Sequence, residues 1–187
     1  MAGGSDDRKE QSVTLEILIS ALLRLPIYKD DLPATPDKQT ELRNIAAAVY
    51  THSNGDLQVM AMTLAIGKHE SGFSSKVGRG ECRPKQCDPR RRKDGTIEHR
   101  ARGWFQVHRN GMSQEAWDEL LGPNRIDAQA KEAVRRVRSA FATCKGEPDV
   151  VRAAVAQYAG LGCKGTTRLK DMSARLDSYY SIRRFIP

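Results

Sequence analysis

The sequence predicts a mainly helical α+β domain, and three observations predict it. Apolar residues recur at helical spacing along most of the chain, the stretch from Ser71 to Gly111 breaks that spacing, and Asp94-Gly95 inside that stretch is a hairpin signal. With 187 residues the chain can enclose one core of its own, and its 39% hydrophobic and 29% charged content is that of a globular protein.

Ser12 can cap a first helix whose apolar residues Leu15, Leu18, Ile19, Leu22 and Leu23 recur until Pro26 stops it. The proline-rich stretch from Pro26 to Asp37 reads as a loop, and Leu42, Ile45, Ala46 and Val49 mark a second helix from about Gln39 to Thr51. Asn54-Gly55 closes it. Asp56 caps a third helix with Leu57, Met60, Ala61, Leu64 and Ala65 as its core-facing stripe; the stripe runs out at Gly67, so Lys68, His69 and Glu70 lie at the helix end, where side chains can turn into a cleft. After the non-helical stretch, in which Thr96 and Ile97 begin a return strand, helices resume at Ser113–Leu121 around Trp117. Another runs over Ile126–Cys144 with Ala130, Ala133, Val134, Val137 and Phe141 on one face. Pro148 suits the first turn of a helix through Tyr158, and Thr166 or Thr167 caps a last helix carrying Leu169, Met172, Leu176 and Tyr179 or Tyr180. Residues 1–51 thus read as an N-terminal helical extension and 52–187 as the main domain, together one compact unit and a monomer. No internal repeat is visible.

The net charge of +8 is concentrated: residues 76–109 hold eleven lysines and arginines against Glu81, Asp88, Asp94 and Glu98. Such a field suits a polyanion, whether nucleic acid, anionic lipid or a carboxylate-bearing wall polymer; a solvated loop is the plainer reading. The longest apolar run, Leu15 to Leu25, is broken by Glu16, Ser20 and Arg24 and is too short to span a bilayer, which needs about 20 apolar residues. Asp6 and Asp7 also spoil it as a secretory leader. Cys82, Cys87, Cys144 and Cys163 allow three pairings; local pairing favours Cys82 with Cys87 and Cys144 with Cys163, which would imply an oxidising, extracytoplasmic working place. Free thiols and a zinc site with His99 or His108 are the alternatives, although the Cys82–Cys87 gap has no matching second pair. His69-Glu70 opens a zinc-protease pattern, but that pattern needs histidine at position 73, where Phe73 stands. No metal or other cofactor is expected.

Three short segments stand out: His69-Glu70-Ser71-Gly72-Phe73, Gly103-Trp104-Phe105-Gln106-Val107, and Ala156-Gln157-Tyr158-Ala159-Gly160. Their order resembles the soluble lytic transglycosylase family and its goose-type lysozyme relatives. There a Glu-Ser pair ends a core helix, a Gly-Leu-Met-Gln-Ile-like segment lines the cleft, and an Ala-Tyr-Asn-Ala-Gly-like segment ends a later helix. The resemblance spans about residues 56–162. It departs from the family at Trp104-Phe105, which replace Leu-Met, and at Gln157, which stands where Asn is usual or aligns with nothing.

The resemblance implies a lysozyme-like fold with the basic loop or hairpin beside the cleft, and cleavage of the β-1,4 bond between N-acetylmuramic acid and N-acetylglucosamine in peptidoglycan. Glu70 would be the catalytic acid, because breaking a glycosidic bond requires a proton on the departing oxygen. Phe73, Trp104 and Phe105 would form an apolar wall that keeps its carboxyl protonated. Ser71 would orient that carboxyl, Gln106 and Tyr158 would bind substrate, and Phe73 and Phe105 would join them. A transglycosylase needs no second carboxylate, since the sugar's own 6-hydroxyl closes a 1,6-anhydro ring. A hydrolytic lysozyme needs one to activate water, and Glu81 and Glu98, with Asp88 and Asp94, are its candidates. The expected partner is peptidoglycan rather than nucleic acid, and the expected place of action is the periplasm or cell wall, as for a phage endolysin or virion-borne lysin. The rivals are a basic nucleic-acid-binding helical module, which lacks a recognisable recognition helix, and a non-catalytic wall-binding domain.

Overall fold

The structure is a computed structural model that describes residues 6–24, 36–165 and 169–185. Eight helices appear among them: α1 Asp6–Arg24, α2 Pro36–Ser53, α3 Leu57–Ser71, α4 Ser75–Gly78, α5 Gln114–Glu119, α6 Arg125–Thr143, α7 Val150–Tyr158 and α8 Leu169–Arg183. Two antiparallel hairpins lie between α4 and α5, formed by β1 Pro89–Arg91 with β2 Ile97–His99 and by β3 Ala101–Arg102 with β4 Val107–His108. Helix dominates the described residues and strand is confined to the two short hairpins, so the architecture is α+β and mainly α.

The third helix is the centre of the molecule. Asp56 caps it by accepting from the amides of Gln58 and Val59, and every residue from Val59 to Gly67 is buried. A helix apolar on one stripe would show solvent on its other faces; this one is surrounded by α2, α6 and α8, which leaves no wet side. The stripe expected from Leu57 onward is therefore only part of what is buried. Leu42, Ile45 and Val49 of α2, Val134 and Val137 of α6, and Met172 and Ile182 of α8 meet the third helix in one apolar cluster, to which Leu18 and Leu22 of α1 also belong.

The fifth and sixth helices start and stop within a residue or two of their expected bounds, with Ser113 capping α5 through the Ala116 amide. Pro148 does not open α7: Asp149 is the cap, accepting from the Arg152 amide, and the proline stands one residue ahead of it. Thr166 and Thr167, expected to cap α8, lie outside the described residues. Ser12 does not cap α1, which begins six residues earlier at Asp6 and runs through it. Of the two aromatic candidates on α8, Tyr179 is buried and Tyr180 is exposed.

Asp94-Gly95 turns the first hairpin. Asp94 accepts from both the amide and the hydroxyl of Thr96, Gly95 takes φ +85°, and Arg91 pairs with Ile97. Both cysteine pairs stand at disulfide distance, Cys82 with Cys87 and Cys144 with Cys163, so no described cysteine is a free thiol. The first pair closes the loop leading into β1; the second joins the end of α6 to the segment after α7. No described helix is long and apolar enough to cross a membrane, and no described cluster of His, Cys, Asp or Glu could hold a metal ion.

Candidate active site

Glu70 stands in the last turn of α3, and the way that helix stops determines where its carboxylate goes. Gly72 takes a left-handed conformation and its amide returns to the Lys68 carbonyl, an ordinary glycine stop. Phe73 follows with φ +56°, strained for a residue with a side chain, and drives its ring back into the core. Gly67 makes room for it: a β-carbon there would lie 2.6 Å from the Phe73 ring and 2.9 Å from that of Phe105. The two rings meet edge to face at 6.3 Å. Buried Lys38 of α2 then holds the Phe73 carbonyl, and also donates to Ser75 Oγ at 3.0 Å and Glu41 Oε1 at 2.8 Å. The second helix therefore braces the corner that carries Glu70.

The second segment is a tight loop between β3 and β4. Gly103 sits at φ +73°, where a β-carbon would lie 2.0 Å from Gln129 Oε1, and the Gln106 amide returns to the Gly103 carbonyl at 3.2 Å. Gln106 has φ +48° and donates from Nε2 to the Gly103 carbonyl at 2.8 Å. Trp104 is fully buried against Gly78, where a β-carbon would come within 2.1 Å of the indole. Gln129, wholly buried on α6, joins these parts: its Oε1 accepts from the Trp104 amide at 2.9 Å, and its Nε2 donates to the carbonyls of Gly78 at 3.0 Å and Leu120 at 2.6 Å.

The third segment ends α7. Tyr158 donates its hydroxyl to the Phe105 carbonyl at 3.1 Å, tying the third segment to the second. Desolvation first, and the charge of Glu70 second, push that hydroxyl well above the usual phenol range, so it is a neutral donor at any physiological pH.

Glu70, Gln106 and Tyr158 line one cleft, with His108, Asn110, Arg136 and Arg175, around about 760 Å³ of empty space. Arg136 is fixed in place by Glu132 at 2.7 Å and by the His108 carbonyl. Burial works against ionisation of Glu132, but the guanidiniums of Arg135 and Arg136 outweigh it and hold its carboxyl below the usual range. Arg175, from α8, donates to Glu70 Oε1 from Nη2 at 2.7 Å and from Nε at 3.3 Å. Asn110 also lines two neighbouring hollows. One is lined by Arg135, Ser139 and Gln157; the other is a cationic hollow of about 1070 Å³ between the hairpins and α5. The cleft shares further lining residues with them, Arg136 and Tyr158 with the first and His108 with the second.

Comparison with family models, with curated proteins and with solved structures finds no match to this chain.

Several residues expected at the site lie elsewhere. Phe73, Trp104 and Phe105 are completely buried, so Phe73 and Phe105 are packing residues with no surface to offer a substrate. The Glu70 carboxylate pairs with the guanidinium of Arg175, and its side chain is 21% exposed. Ser71 does not orient that carboxyl, because its hydroxyl donates to the Gly67 carbonyl and accepts from the Phe73 amide. Neither Glu81 nor Glu98 lines the cleft. Arg79 pairs with Glu81 at 2.7 Å and Arg92 with Glu98 at 3.0 Å, and those hydrogen bonds hold both carboxyls below the usual range. Arg136, Arg175, His108 and Asn110 are cleft residues that no motif marked. Gln129 alone carried a signal, a polar residue at the edge of an otherwise apolar helical stripe.

Proposed function

We propose that this protein is a lysozyme-like enzyme that cleaves the β-1,4 bond between N-acetylmuramic acid and N-acetylglucosamine in peptidoglycan, as a lytic transglycosylase. The observation that carries this reading is convergence: Glu70, Gln106 and Tyr158, from three segments far apart in sequence, line one cleft. Glu70 gives its proton to the glycosidic oxygen as the bond from C1 breaks, leaving a free 4-hydroxyl on the departing sugar. The carboxylate then takes the proton of the muramic 6-hydroxyl as that oxygen closes on C1, which forms the 1,6-anhydro ring and restores the acid. Tyr158 steadies the loop bearing Gln106 through the Phe105 carbonyl, and Gln106 offers an amide to the sugar's N-acetyl or hydroxyl groups.

Glu70 is the one carboxylate among the described residues lining this cleft, which favours the intramolecular route over a hydrolytic lysozyme with a second base. Mass spectrometry of muropeptides released from purified sacculi tests this. Anhydro ends are the expected result, reducing ends would replace the transglycosylase by a muramidase, and uncut strands would sink both.

The cationic hollow supports a wall substrate. Arg92, Arg100 and Arg102 are paired with Glu98, Asp88 and Asp118, and Arg102 also lies 4.2 Å over the Trp117 ring, whereas Arg90 and Arg109 make no close ion pair among the described residues. Those two are left to meet the anionic groups of the wall. Replacing both with glutamine is expected to weaken pelleting with sacculi by about tenfold at low salt and to flatten its salt dependence. Unchanged pelleting would remove the hollow from the binding surface, and retention of DNA without loss of sacculus turbidity would favour a nucleic-acid module instead. The wall substrate in turn implies work in the periplasm or cell wall, where the two cysteine pairs would stay oxidised.

A further inference from the structure

The Glu70–Arg175 contact raises a chemical problem for any acid role of Glu70. Two guanidinium nitrogens, at 2.7 Å and 3.3 Å, donate to the same oxygen, Oε1, and both side chains are largely shielded. The guanidinium is aimed at one oxygen of the group that has to act as acid and base, and a charge-assisted contact of this kind forms with whichever carboxylate completes it. In the resting arrangement that carboxylate is Glu70's, until something draws Arg175 off.

The lining of the cleft indicates what can do so. Arg136 and Arg175 face it against one carboxylate, which leaves the section cationic. Arg136 is committed to Glu132 and the His108 carbonyl. Arg175 is held by hydrogen bonds to Glu70 alone among the described residues, so it is the cleft cation whose partner can be exchanged. An entering anion competes for it directly; an uncharged sugar does not.

We propose that Arg175 is a specificity-determining residue that exchanges Glu70 for a carboxylate of the substrate, so that an acidic glycan releases the acid that cuts it. This rests on the function proposed above. The carboxylate has two sources, the lactyl group of a muramic residue without its peptide and the stem peptide itself. A neutral strand of N-acetylglucosamine offers neither and leaves the pair closed.

Cleavage is to be measured for wild type, Arg175→Gln and Arg175→Lys on three strands of matched length: peptide-free muramyl glycan, peptide-bearing glycan and neutral poly-N-acetylglucosamine. Wild type is expected to prefer an acidic strand by about 30-fold, the scale of a charge-assisted hydrogen bond. Arg175→Gln narrows that preference to about threefold, because cleavage of acidic strands falls through KM while the neutral strand is cut faster. Arg175→Lys keeps part of it. The strand that wild type prefers identifies the carboxylate. An equal fall on all three strands would mean a merely structural role and overturn the proposal, as would a wild type with no preference.

A binding measurement separates this idea from the function on which it rests. Calorimetry with a peptide-free muramyl disaccharide and its carboxyl-reduced counterpart is expected to give about tenfold tighter binding of the acid to wild type, and equal binding of both to Arg175→Gln. Discrimination by wild type without cleavage of any strand would refute the enzyme and keep the carboxylate recognition. Equal binding by wild type overturns the exchange whatever the cleavage assays give.

Discussion

Glu70→Gln is expected to lower release of soluble fragments from sacculi by about a thousandfold, within the usual range for removing a general acid and base. Glutamine keeps the length of the side chain and an oxygen to accept from Arg175, so the end of α3 and the cleft should hold their shape. Pelleting with sacculi and the unfolding temperature should therefore stay close to wild type. The comparison is informative in both directions. A variant retaining a tenth or more of wild-type activity removes Glu70 from the chemistry. Absent lysis in both forms, with pelleting intact, makes the protein a wall-binding domain that cuts nothing.

Gln129→Leu is expected to be the most damaging change away from the reacting groups. Leucine fills much of the same space, yet it leaves the Trp104 amide and the carbonyls of Gly78 and Leu120 without their partner inside the core. Each buried, unbonded backbone group costs about 1–3 kcal/mol, and allowing for relaxation the loss should reach about 4 kcal/mol. For a chain of this size that lowers the midpoint of thermal unfolding by about 10 °C. Thermal denaturation followed by circular dichroism measures it, and a drop of under about 2 °C would mean that water or a shifted loop replaces the amide. Activity should fall with stability, since Gln129 anchors the loop that presents Gln106.

How much of this was legible in the sequence depended on the range of the interactions involved. Asp56, Ser113 and Asp94-Gly95 act on backbone groups two or three residues away, so the starts of α3 and α5 and the turn of the first hairpin could be read directly. The favoured cysteine partners were also those nearest in sequence. The single turn of α4 left no periodicity to read, being four residues long. Phe73 and Phe105 look like cleft aromatics because they flank polar site candidates. Their burial follows from Gly67, whose missing side chain opens space that a string of letters does not display. Lys38 pairs locally with Glu41, but its hold on the carbonyl of Phe73, 35 residues away, left no signal in the sequence.

From the sequence alone came the helix-rich class and the long basic insertion, which depend on periodicity, turn residues and composition, local properties of a chain; the three segments offered a resemblance and no more. Tertiary structure alone decided what surrounds the glutamate. It placed Arg175 of the last helix on Glu70 and put the aromatics in the core. The physical reason is that a side chain's charge partner is set by how helices pack, and packing brings together residues 105 positions apart as readily as neighbours.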